Sequence, residues 1–337
     1  MIRVINVCNV LTVGLLLSSL ISAGANAEGY LQNPQFIQFL NKMEKEHNYD
    51  RFQLVELFSD VRQQKSILKA ISRPAEKSKT WAQYKPIFIT PKNIQRGVDF
   101  YNKHKETLLA AEKEYGVPAE VIVAIIGVET RYGSNKGSYR VIDALSTLAF
   151  DYPPRSKFFT SELEHFIQLS KEAGLDPKVV KGSYAGAMGF PQFISSSYRS
   201  YAIDFDKDGK TDLINNPKDA IGSVANYFKR HGWKTGEKVI TLADLAENKQ
   251  TKKPIESLVN KGLKPKFTVG DITSAGLAPR MKLNNNKAAA TAWKVEGETG
   301  DEYWIGLHNF YVITRYNHSH MYAMAVHQLS QAVGRKI

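Results

Sequence analysis

The sequence lacks most features of redox, metal-thiolate and nucleotide-dependent proteins. Its 337 residues contain one cysteine, Cys8, which excludes an internal disulfide and a cysteine metal site. The motifs GxxxxGK[ST], HExxH and GxSxG are absent, which argues against P-loop, zinc-protease and α/β-hydrolase chemistry. The eight histidines do not cluster at metal-ligand spacing, apart from His318 and His320, which share a turn more typical of a surface. We therefore expect any catalytic chemistry to rest on carboxylates.

Long apolar runs are also scarce. The run at residues 10–21 is too short to span a bilayer, and it lies between Arg3 and an A-x-A cleavage pattern at Ala25-Asn26-Ala27. This pattern predicts a secretory signal at 1–27, cleaved after Ala27. Cys8 precedes the run, whereas the cysteine of a lipoprotein would follow it. We expect a soluble exported protein without a lipid anchor.

Basic residues outnumber acidic ones, 45 to 33, for a net charge of +12. Nucleic acid, anionic lipid and an anionic cell wall are all compatible partners. The charge is dispersed along the chain, so it does not choose among them. A hydrophobic content of 43% in a chain of this length is sufficient for a sizeable core and two or three structural units.

The most informative stretch is VIVAIIGVETRYG at 121–133. It is apolar on every face, which predicts a buried element, and its β-branched residues suit a strand as well as a helix. Pro118 and Glu120 favour a helix start. Glu129 would then leave the core at the helix end, where burial and the helix dipole raise a carboxyl pKa and suit a general acid. The alternative is a Glu that only caps the core and pairs with Arg131.

Helical periodicity occupies most of the chain, at residues 31–70, 94–115, 141–150, 158–173, 219–231 and 319–333. We interpret 81–88 as an aromatic loop and 133–139 as a Gly-rich loop. Short β-like segments occur at 238–242, 266–269 and 293–295, and 311–315 is also β-rich. The predicted organisation is a helical region at 28–235, a small partly β domain at 236–298 and a segment at 299–337 that returns to the core.

The loop at 204–212, DFDKDGKTD, matches the opening of an EF-hand calcium loop. Acids at its first, third and fifth positions offer oxygens to one ion, and Gly209 allows the sharp turn. The twelfth position is Asn215 rather than Glu, and Asp219 could close the site instead. The alternative is a solvated acidic turn. We interpret the loop as structural, because it connects two predicted helices.

Together these motifs resemble one family. ETRYG at 129–133, GSYAGAMG at 182–189, the 204–212 loop and DAIGSVANY at 219–227 occur in that order, with RPAEK at 73–77 upstream. The sequence is similar to the membrane-bound lytic murein transglycosylase B family (glycoside hydrolase family 103) from about Tyr30 to the C-terminus. The resemblance implies a mainly α (α+β) fold: a lysozyme-like helical core with an added helical domain and a small β domain.

The resemblance also implies an activity and a set of site residues. The activity is cleavage of the MurNAc-GlcNAc β-1,4 bond of peptidoglycan to 1,6-anhydromuramic acid ends, with Glu129 as acid and then base and with no catalytic cofactor. The implied substrate contacts are Ser183, Gln192, Tyr84, Arg155, Phe193, Tyr227, Tyr316 and Asn317. The implied ligands of a structural calcium ion are Asp204, Asp206, Asp208, Lys210 through its carbonyl, and Asp219. From the sequence alone, any one of those aromatic residues is more typical of core packing than of sugar stacking.

Three positions depart from the family pattern. The lipid-anchoring cysteine of some members is absent, which argues against membrane attachment. A paired Arg after Tyr-Pro is Pro154-Arg155 here, so one basic contact is lost, and Phe158 replaces a Tyr and its hydroxyl.

Two other functions remain open from the sequence. One is a non-catalytic peptidoglycan-binding or scaffold protein. The other is a muramidase-type hydrolase, which would need a second carboxylate roughly 5–9.5 Å from the acid; Asp143 and Asp151 are candidates by sequence proximity. We expect a monomer that binds peptidoglycan glycan strands and no nucleic acid, with other cell-wall enzymes as conceivable partners.

Overall fold

A computed structural model describes residues 29–72, 79–246 and 254–337. The predicted signal at 1–27 and the motif at 73–77 lie outside these residues. Within them, no helix combines the length and apolar character needed to cross a membrane. The described chain is mainly helical with one five-stranded sheet, and it divides into two compact units that meet at residues 63 and 64.

The described part of the first unit, 29–63, consists of two helices, α1 (Pro34–His47) and α2 (Arg51–Phe58). Asn33 and Asp50 cap their N-termini with side-chain oxygens that accept backbone N–H groups. Phe36 and Phe39 of α1 pack on Phe58 of α2, with ring centroids 4.9 and 5.7 Å apart. This aromatic contact buries one face of each helix, as the sequence periodicity predicted.

The second unit holds the remaining helices, most of which were predicted. Their bounds are α3 (Lys65–Ile71), α4 (Trp81–Tyr84), α5 (Pro91–Lys103), α6 (Lys105–Tyr115), α7 (Ala119–Thr130), α8 (Val141–Asp151), α9 (Ser156–Glu172), α10 (Ser195–Tyr201), α11 (Pro217–Arg230), α12 (Val269–Ser274), α13 (His308–Tyr316) and α14 (His320–Gly334).

Helix α7 is the central element of this unit. Every side chain from Val121 to Ile126 is buried, and α5, α6, α11 and α14 all contact the helix. The apolar stretch is therefore a helix rather than a strand. A helix surrounded on all sides needs no polar face, which explains the missing amphipathic pattern.

The strands form two sheets. A short ribbon pairs β1 (Tyr139–Arg140) with β2 (Lys181–Gly182). The larger antiparallel sheet has the order β4-β6-β7-β3-β5, made of β3 (Ile240–Leu245), β4 (Phe267–Thr268), β5 (Leu277–Pro279), β6 (Ala289–Gly297) and β7 (Gly300–Gly306). One face of this sheet has its own core with α12, in which Ala292 and Ile305 are fully buried. The sheet continues past residue 298, because β7 pairs with β6 across a tight turn.

Two local predictions are wrong, and one helix was not predicted. Residues 311–315 belong to helix α13, because Phe310 and Ile313 lie one turn apart on its buried side and packing overrides β propensity. Residues 81–88 form α4 followed by a 3-10 turn. A hydrogen bond from the Thr80 N–H to Oε1 of Gln83, at 3.2 Å, caps the start of α4. Helix α10 was missed because its sequence, SSSYRSY, has little periodicity.

Candidate active site

Glu129 lies in the last turn of α7 and is half-buried. The helix ends directly after it, because Arg131 and Tyr132 adopt left-handed backbone angles with φ of 50° and 61°. The Thr130 hydroxyl secures this end: it contacts the carbonyl oxygen of Phe190 at 3.0 Å and accepts the N–H of Gly133 at 2.9 Å. The Glu129 carboxylate is thus carried on a rigid helix end.

The Tyr132 ring packs between α5 and α7, next to the end of α7. A Cβ atom at Gly127 would lie 2.6 Å from the Tyr132 hydroxyl, and one at Gly97 would lie 2.7 Å from it. Glycine at these two positions lets α5 and α7 close around the ring. Because the ring occupies that space, the turn after Glu129 cannot shift without displacing two helices.

A tyrosine from the last helix contacts the carboxylate directly. The Tyr322 hydroxyl donates to Oε1 of Glu129 at 2.5 Å. Burial and the nearby Glu129 carboxylate raise the pKa of Tyr322 well above its ordinary value, so the phenol keeps its proton. Sequence reasoning did not single out Tyr322. The sequence feature that could have identified Tyr322 is its position in the first turn of a helix capped by Ser319. The Ser319 hydroxyl accepts the Tyr322 N–H at 3.2 Å.

Two further tyrosines surround this pair. The Tyr316 ring lies nearly parallel to the Tyr322 ring, with centroids 6.4 Å apart, and its hydroxyl donates to the Pro191 carbonyl at 2.6 Å. Burial and the Glu129 carboxylate also raise the pKa of Tyr316. Tyr84, at the end of α4, is close enough to contribute to the raised pKa of Tyr322. The predicted residues Glu129, Tyr84 and Tyr316 are therefore brought together.

Phe193 and Tyr227 continue the aromatic cluster. Phe193 lies 5.6 Å from Tyr227 and 5.8 Å from Tyr316, measured between ring centroids. Tyr227 donates from its hydroxyl to the Arg315 carbonyl at 2.6 Å and stacks on His231 at 4.0 Å. Tyr84, Phe193 and Tyr227 are only 4%, 2% and 7% exposed. Phe193 and Tyr227 pack on each other and on Tyr316, whereas Tyr84 packs on Trp81 and Phe88. The surface that these three buried rings offer a ligand is small, and Tyr316 is the half-buried member.

The predicted polar residues Ser183 and Gln192 belong to one turn-rich segment between β2 and α10. The Ser183 Oγ accepts the N–H groups of Ala185 and Ala187 at 3.3 and 3.1 Å, which leaves its proton available to donate. The Gln192 amide nitrogen donates to the carbonyls of Lys136 and Gly189 at 3.2 and 3.0 Å. Within the described chain its Oε1 contacts no protein donor, so it is oriented to accept.

Gln192 is held in place by the backbone as well. Its φ of 51° is left-handed, which is uncommon for a residue with a side chain. The segment folds back on itself through paired bonds between Met188 and Phe193, of 2.9 and 3.1 Å. The strained residue is therefore stabilised by the same turn that buries Phe193.

The structure does not join Arg155 to this cluster. Arg155 lies on an exposed 3-10 turn before α9, and its guanidinium covers the rings of Phe158 and Phe159 at 4.3 and 5.0 Å. Asn317 follows Tyr316 directly, at the end of α13, and its carbonyl accepts the Ser319 N–H at 2.7 Å. Asn317 thus shapes the link between the two tyrosine-bearing helices.

The hydrolase candidate Asp143 has a different role. Its two carboxylate oxygens accept from the Arg140 guanidinium at 2.8 and 2.9 Å, and Gln64 adds a longer contact at 3.4 Å. Asp143 is buried in α8. A carboxylate held in a bidentate ion pair is poorly suited to activate water.

The acidic loop brings together three of the five predicted ligands. Carboxylate oxygens of Asp204, Asp206 and Asp219 lie within 4.8 Å of one another. Asp219 is fully buried and accepts the N–H groups of Phe205 and Asp212 at 2.9 and 2.8 Å. Burial, and then the charges of Asp206 and Asp204, raise the pKa of Asp219, a cost that a divalent cation would remove.

The other two predicted ligands, Asp208 and Lys210, lie on the exposed part of the loop. Oδ1 of Asp208 accepts the Lys210 N–H at 2.9 Å, and Asp208 is not in the three-acid group. The left-handed Lys207 and Gly209, with φ of 60° and 88°, form the sharp turn. Hard oxygen ligands on such a turn fit calcium.

The chain is similar to known proteins along most of its length. The family model described as Transglycosylase SLT domain matches residues 32–331. The chain is similar to membrane-bound lytic murein transglycosylase B of Escherichia coli (strain K12), with 45% identity over 313 residues that cover 90% of this chain and 84% of that protein.

Solved structures of related proteins are similar along most of the chain. Soluble lytic transglycosylase SltB1 from Pseudomonas aeruginosa is 53% identical, covers 90% of this chain and 99% of its own, and has a TM-score of 0.84. The Escherichia coli lytic transglycosylase Slt35 in complex with calcium is 43% identical, with 94% and 98% covered and a TM-score of 0.82. SltB3 from Pseudomonas aeruginosa in complex with NAG-NAM-pentapeptide is 28% identical, with 89% and 79% covered and a TM-score of 0.77.

Proposed function

The chain belongs to the transglycosylase SLT domain family, and on that premise we propose that it is a lytic transglycosylase of peptidoglycan. Its mainly α fold, a lysozyme-like helical core with a small β unit, is the one predicted. The observation that carries the proposal is the Glu129 carboxylate, held at a helix end by the Tyr322 hydroxyl inside a cluster of aromatic residues. The bond cleaved is the β-1,4 link from N-acetylmuramic acid to N-acetylglucosamine.

Glu129 acts first as a general acid. Its protonated carboxyl gives a proton to the glycosidic oxygen, and positive charge develops at the muramyl anomeric carbon as the bond to N-acetylglucosamine breaks. The N-acetyl group of the substrate can share this charge. Glu129 is then an anion, and the Tyr322 hydroxyl stabilises it because a hydrogen bond to the charged form favours that form. A raised pKa of Glu129 stays a prediction.

Glu129 then acts as a base. The anion takes the proton of the muramyl 6-hydroxyl, and that oxygen closes on the anomeric carbon to give the 1,6-anhydro ring. Glu129 is protonated again, so proton and charge balance and no water is consumed. One carboxyl suffices for both steps.

The surroundings of Glu129 support this route over hydrolysis. A hydrolase needs a second carboxylate to activate water or to form a covalent adduct. Asp143 is committed to Arg140. Glu129 accepts a hydrogen bond from the Tyr322 hydroxyl, and the phenols of Tyr322 and Tyr316 remain neutral because burial and the Glu129 carboxylate raise their pKa values.

Polar groups of the segment between β2 and α10, together with the aromatic cluster, would hold the glycan. Sugars present apolar faces and hydroxyl edges, and the cluster offers both partners. Tyr316 provides a half-buried ring, with Tyr84, Phe193 and Tyr227 as supports whose exposed area is small. Ser183 would donate and the Gln192 Oε1 would accept. Arg155 and Asn317 remain proposed contacts, Arg155 for an outer part of the substrate.

The acidic loop would hold a structural calcium ion. Asp204, Asp206 and Asp219 fit it as oxygen ligands, with Asp208 and the Lys210 carbonyl as further proposed ligands. When bound, the ion supplies charge neutralisation that ties α11 to the loop after α10. No catalytic step uses it.

Location and assembly complete the proposal. We place the enzyme in the periplasm as a soluble monomer, exported by the signal at 1–27 and without a lipid anchor. N-terminal sequencing should show that the exported protein begins near Glu28. Incorporation of a fatty acid would contradict this location.

The product of digestion tests the proposed reaction. Purified sacculi treated with the enzyme should release muropeptides that end in 1,6-anhydromuramic acid, as identified by mass spectrometry. Release of reducing-end muramic acid would indicate a hydrolase instead. Binding to sacculi without any release would indicate a scaffold protein.

A further inference from the structure

Trp293 connects the small sheet to the helices that carry the site. It lies on β6, where its side chain points away from the sheet's own core, since neighbouring Ala292 faces that core. Its indole stacks face to face on the His320 imidazole, with centroids 4.4 Å apart and planes 3° apart. The same indole lies 6.4 Å from the ring of Phe310.

These two contacts reach two different helices. His320 is the first residue of α14, and Tyr322 follows two positions later. Phe310 belongs to α13, which ends at Tyr316. Trp293 therefore packs on both of the helices that provide the tyrosines around Glu129.

The contact with α13 is tight. A Cβ atom at Gly306, the last residue of β7, would lie 2.6 Å from the Phe310 ring. The sheet and α13 therefore pack so closely that a larger residue at position 306 would clash with Phe310. Trp293 itself is only 4% exposed.

The β6–β7 hairpin also reaches the third tyrosine. β6 contacts α4, and Lys85, directly after α4, forms an ion pair of 3.2 Å with Glu298 in the hairpin turn. Tyr84 is the last residue of α4. One hairpin thus contacts all three elements that carry tyrosines near the carboxylate.

We propose that Trp293 is a positioning residue, which holds α13 and α14 so that the Tyr322 hydroxyl meets Glu129. This inference rests on the proposed function of Glu129. The indole is held by ring packing alone, since its N–H is buried without a partner within the described chain. Burial lowers the pKa of His320 to about 4, so the stacked imidazole is neutral at working pH and the stack is not an ionic contact.

The test compares Trp293→Ala with Trp304→Ala. Trp304 is the direct cross-strand partner of Trp293, and its indole N–H donates to Glu302 at 3.0 Å. Within the described chain it makes no ring contact with α13 or α14. We expect Trp293→Ala to lower kcat about tenfold to hundredfold with little change in KM, because misplacing a catalytic group by about 1 Å can cost that much. The acid limb of the kcat profile should also shift.

Trp304→Ala should destabilise the sheet but keep kcat and the pH profile. Trp293→Phe should recover kcat to within about threefold, because a ring can still stack there. If Trp293→Ala does not fold, His320→Ala removes the same stack from the helix side and should give the same loss.

Two results separate the possible failures. If the Trp293 and His320 variants match Trp304→Ala in kcat and pH profile, the positioning role is wrong while the proposed function stands. If Glu129→Gln in the otherwise unchanged enzyme stays active, the proposed function itself is wrong, whatever Trp293 does.

Discussion

Two groups of carboxylates in this molecule are built in opposite ways. Glu129 accepts a hydrogen bond from a neutral phenol, the Tyr322 hydroxyl. Asp204, Asp206 and Asp219 are three acids whose oxygens lie within 4.8 Å of one another. In the proposed mechanism Glu129 loses and regains one proton, whereas the three carboxylates of the second group lie close to one another.

The difference explains what each group can do. Burial and the charges of Asp206 and Asp204 raise the pKa of Asp219, so a bound cation would stabilise its ionised form. Glu129 instead accepts a hydrogen bond from a neutral phenol, an arrangement that suits the proposed proton transfer. We therefore assign proton transfer to the first group and metal binding to the second.

The largest expected effect comes from Glu129→Gln. This change keeps the shape but removes proton transfer, so turnover of sacculi should fall at least about a thousandfold, within the range of general acid–base catalysis. Glu120→Gln makes the same change at the other end of α7 and is the matched control. Initial rates of muropeptide release compare the two. Equal rates for these two variants would contradict a role of Glu129 in proton transfer.

Tyr322→Phe should have the next largest effect. It removes the donor to Glu129, and a hydrogen bond to a charged group contributes about 1.5–3 kcal/mol, which corresponds to roughly a tenfold to hundredfold loss in kcat. Tyr316→Phe is the matched control, because the Tyr316 hydroxyl donates to the Pro191 carbonyl instead. A larger loss for Tyr316→Phe would mean that the Tyr322 contact is not the important one.

Calcium should stabilise the fold without entering the chemistry. A ligand that binds only the folded state at a hundred times its Kd adds about 2.7 kcal/mol, so Tm should rise by several degrees with calcium and fall with a chelator. Asp206→Asn should abolish this shift. Asp244→Asn, an exposed acid of the sheet paired with Arg280, should retain it. An unchanged Tm in the wild type would favour a plain acidic turn.

Part of the loss of folding stability at acid pH should come from His327 in helix α14. Burial lowers the pKa of His327 to about 4, below its ordinary 6.5. The unfolded chain therefore binds the proton first, and this contribution to stability is full above pH 6.5 and is lost as pH falls toward 4. His327→Gln should reduce the stability lost between pH 7 and pH 5 by about 1–2 kcal/mol, as measured by denaturant unfolding. His318→Gln, at an exposed position, is the control; equal curves for the wild type and His327→Gln would contradict the assignment.

Much of the first group was predictable from the sequence. The apolar run and its start at Pro118 and Glu120 predicted a buried helix with Glu129 at its C-terminal end, which is α7. Tyr322 and Trp293 were not predicted, because their importance comes from contacts with residues far away in sequence. The hydroxyl of Tyr322 meets a carboxylate 193 positions earlier, and no local pattern encodes that contact.

The second group was predictable in a different way. Its acids follow a local spacing, so Asp204 and Asp206 could be named from the loop alone. The exposed position of Asp208 was not predictable, because it depends on how the turn at Lys207 and Gly209 folds. Helix α13 was mistaken for β structure for a related reason: it packs on α14, and its Phe310 contacts Trp293, and this tertiary packing overrides the β propensity of residues 311–315.

The claim that one carboxyl works without water is tested most directly by digestion in water labelled with heavy oxygen. The account predicts anhydro-muropeptides that carry no label at the muramyl end and are lighter by one water than the hydrolysis products. Labelled muramic acid at the newly formed ends would show that water attacks the anomeric carbon. That result would contradict the single-acid transglycosylase mechanism.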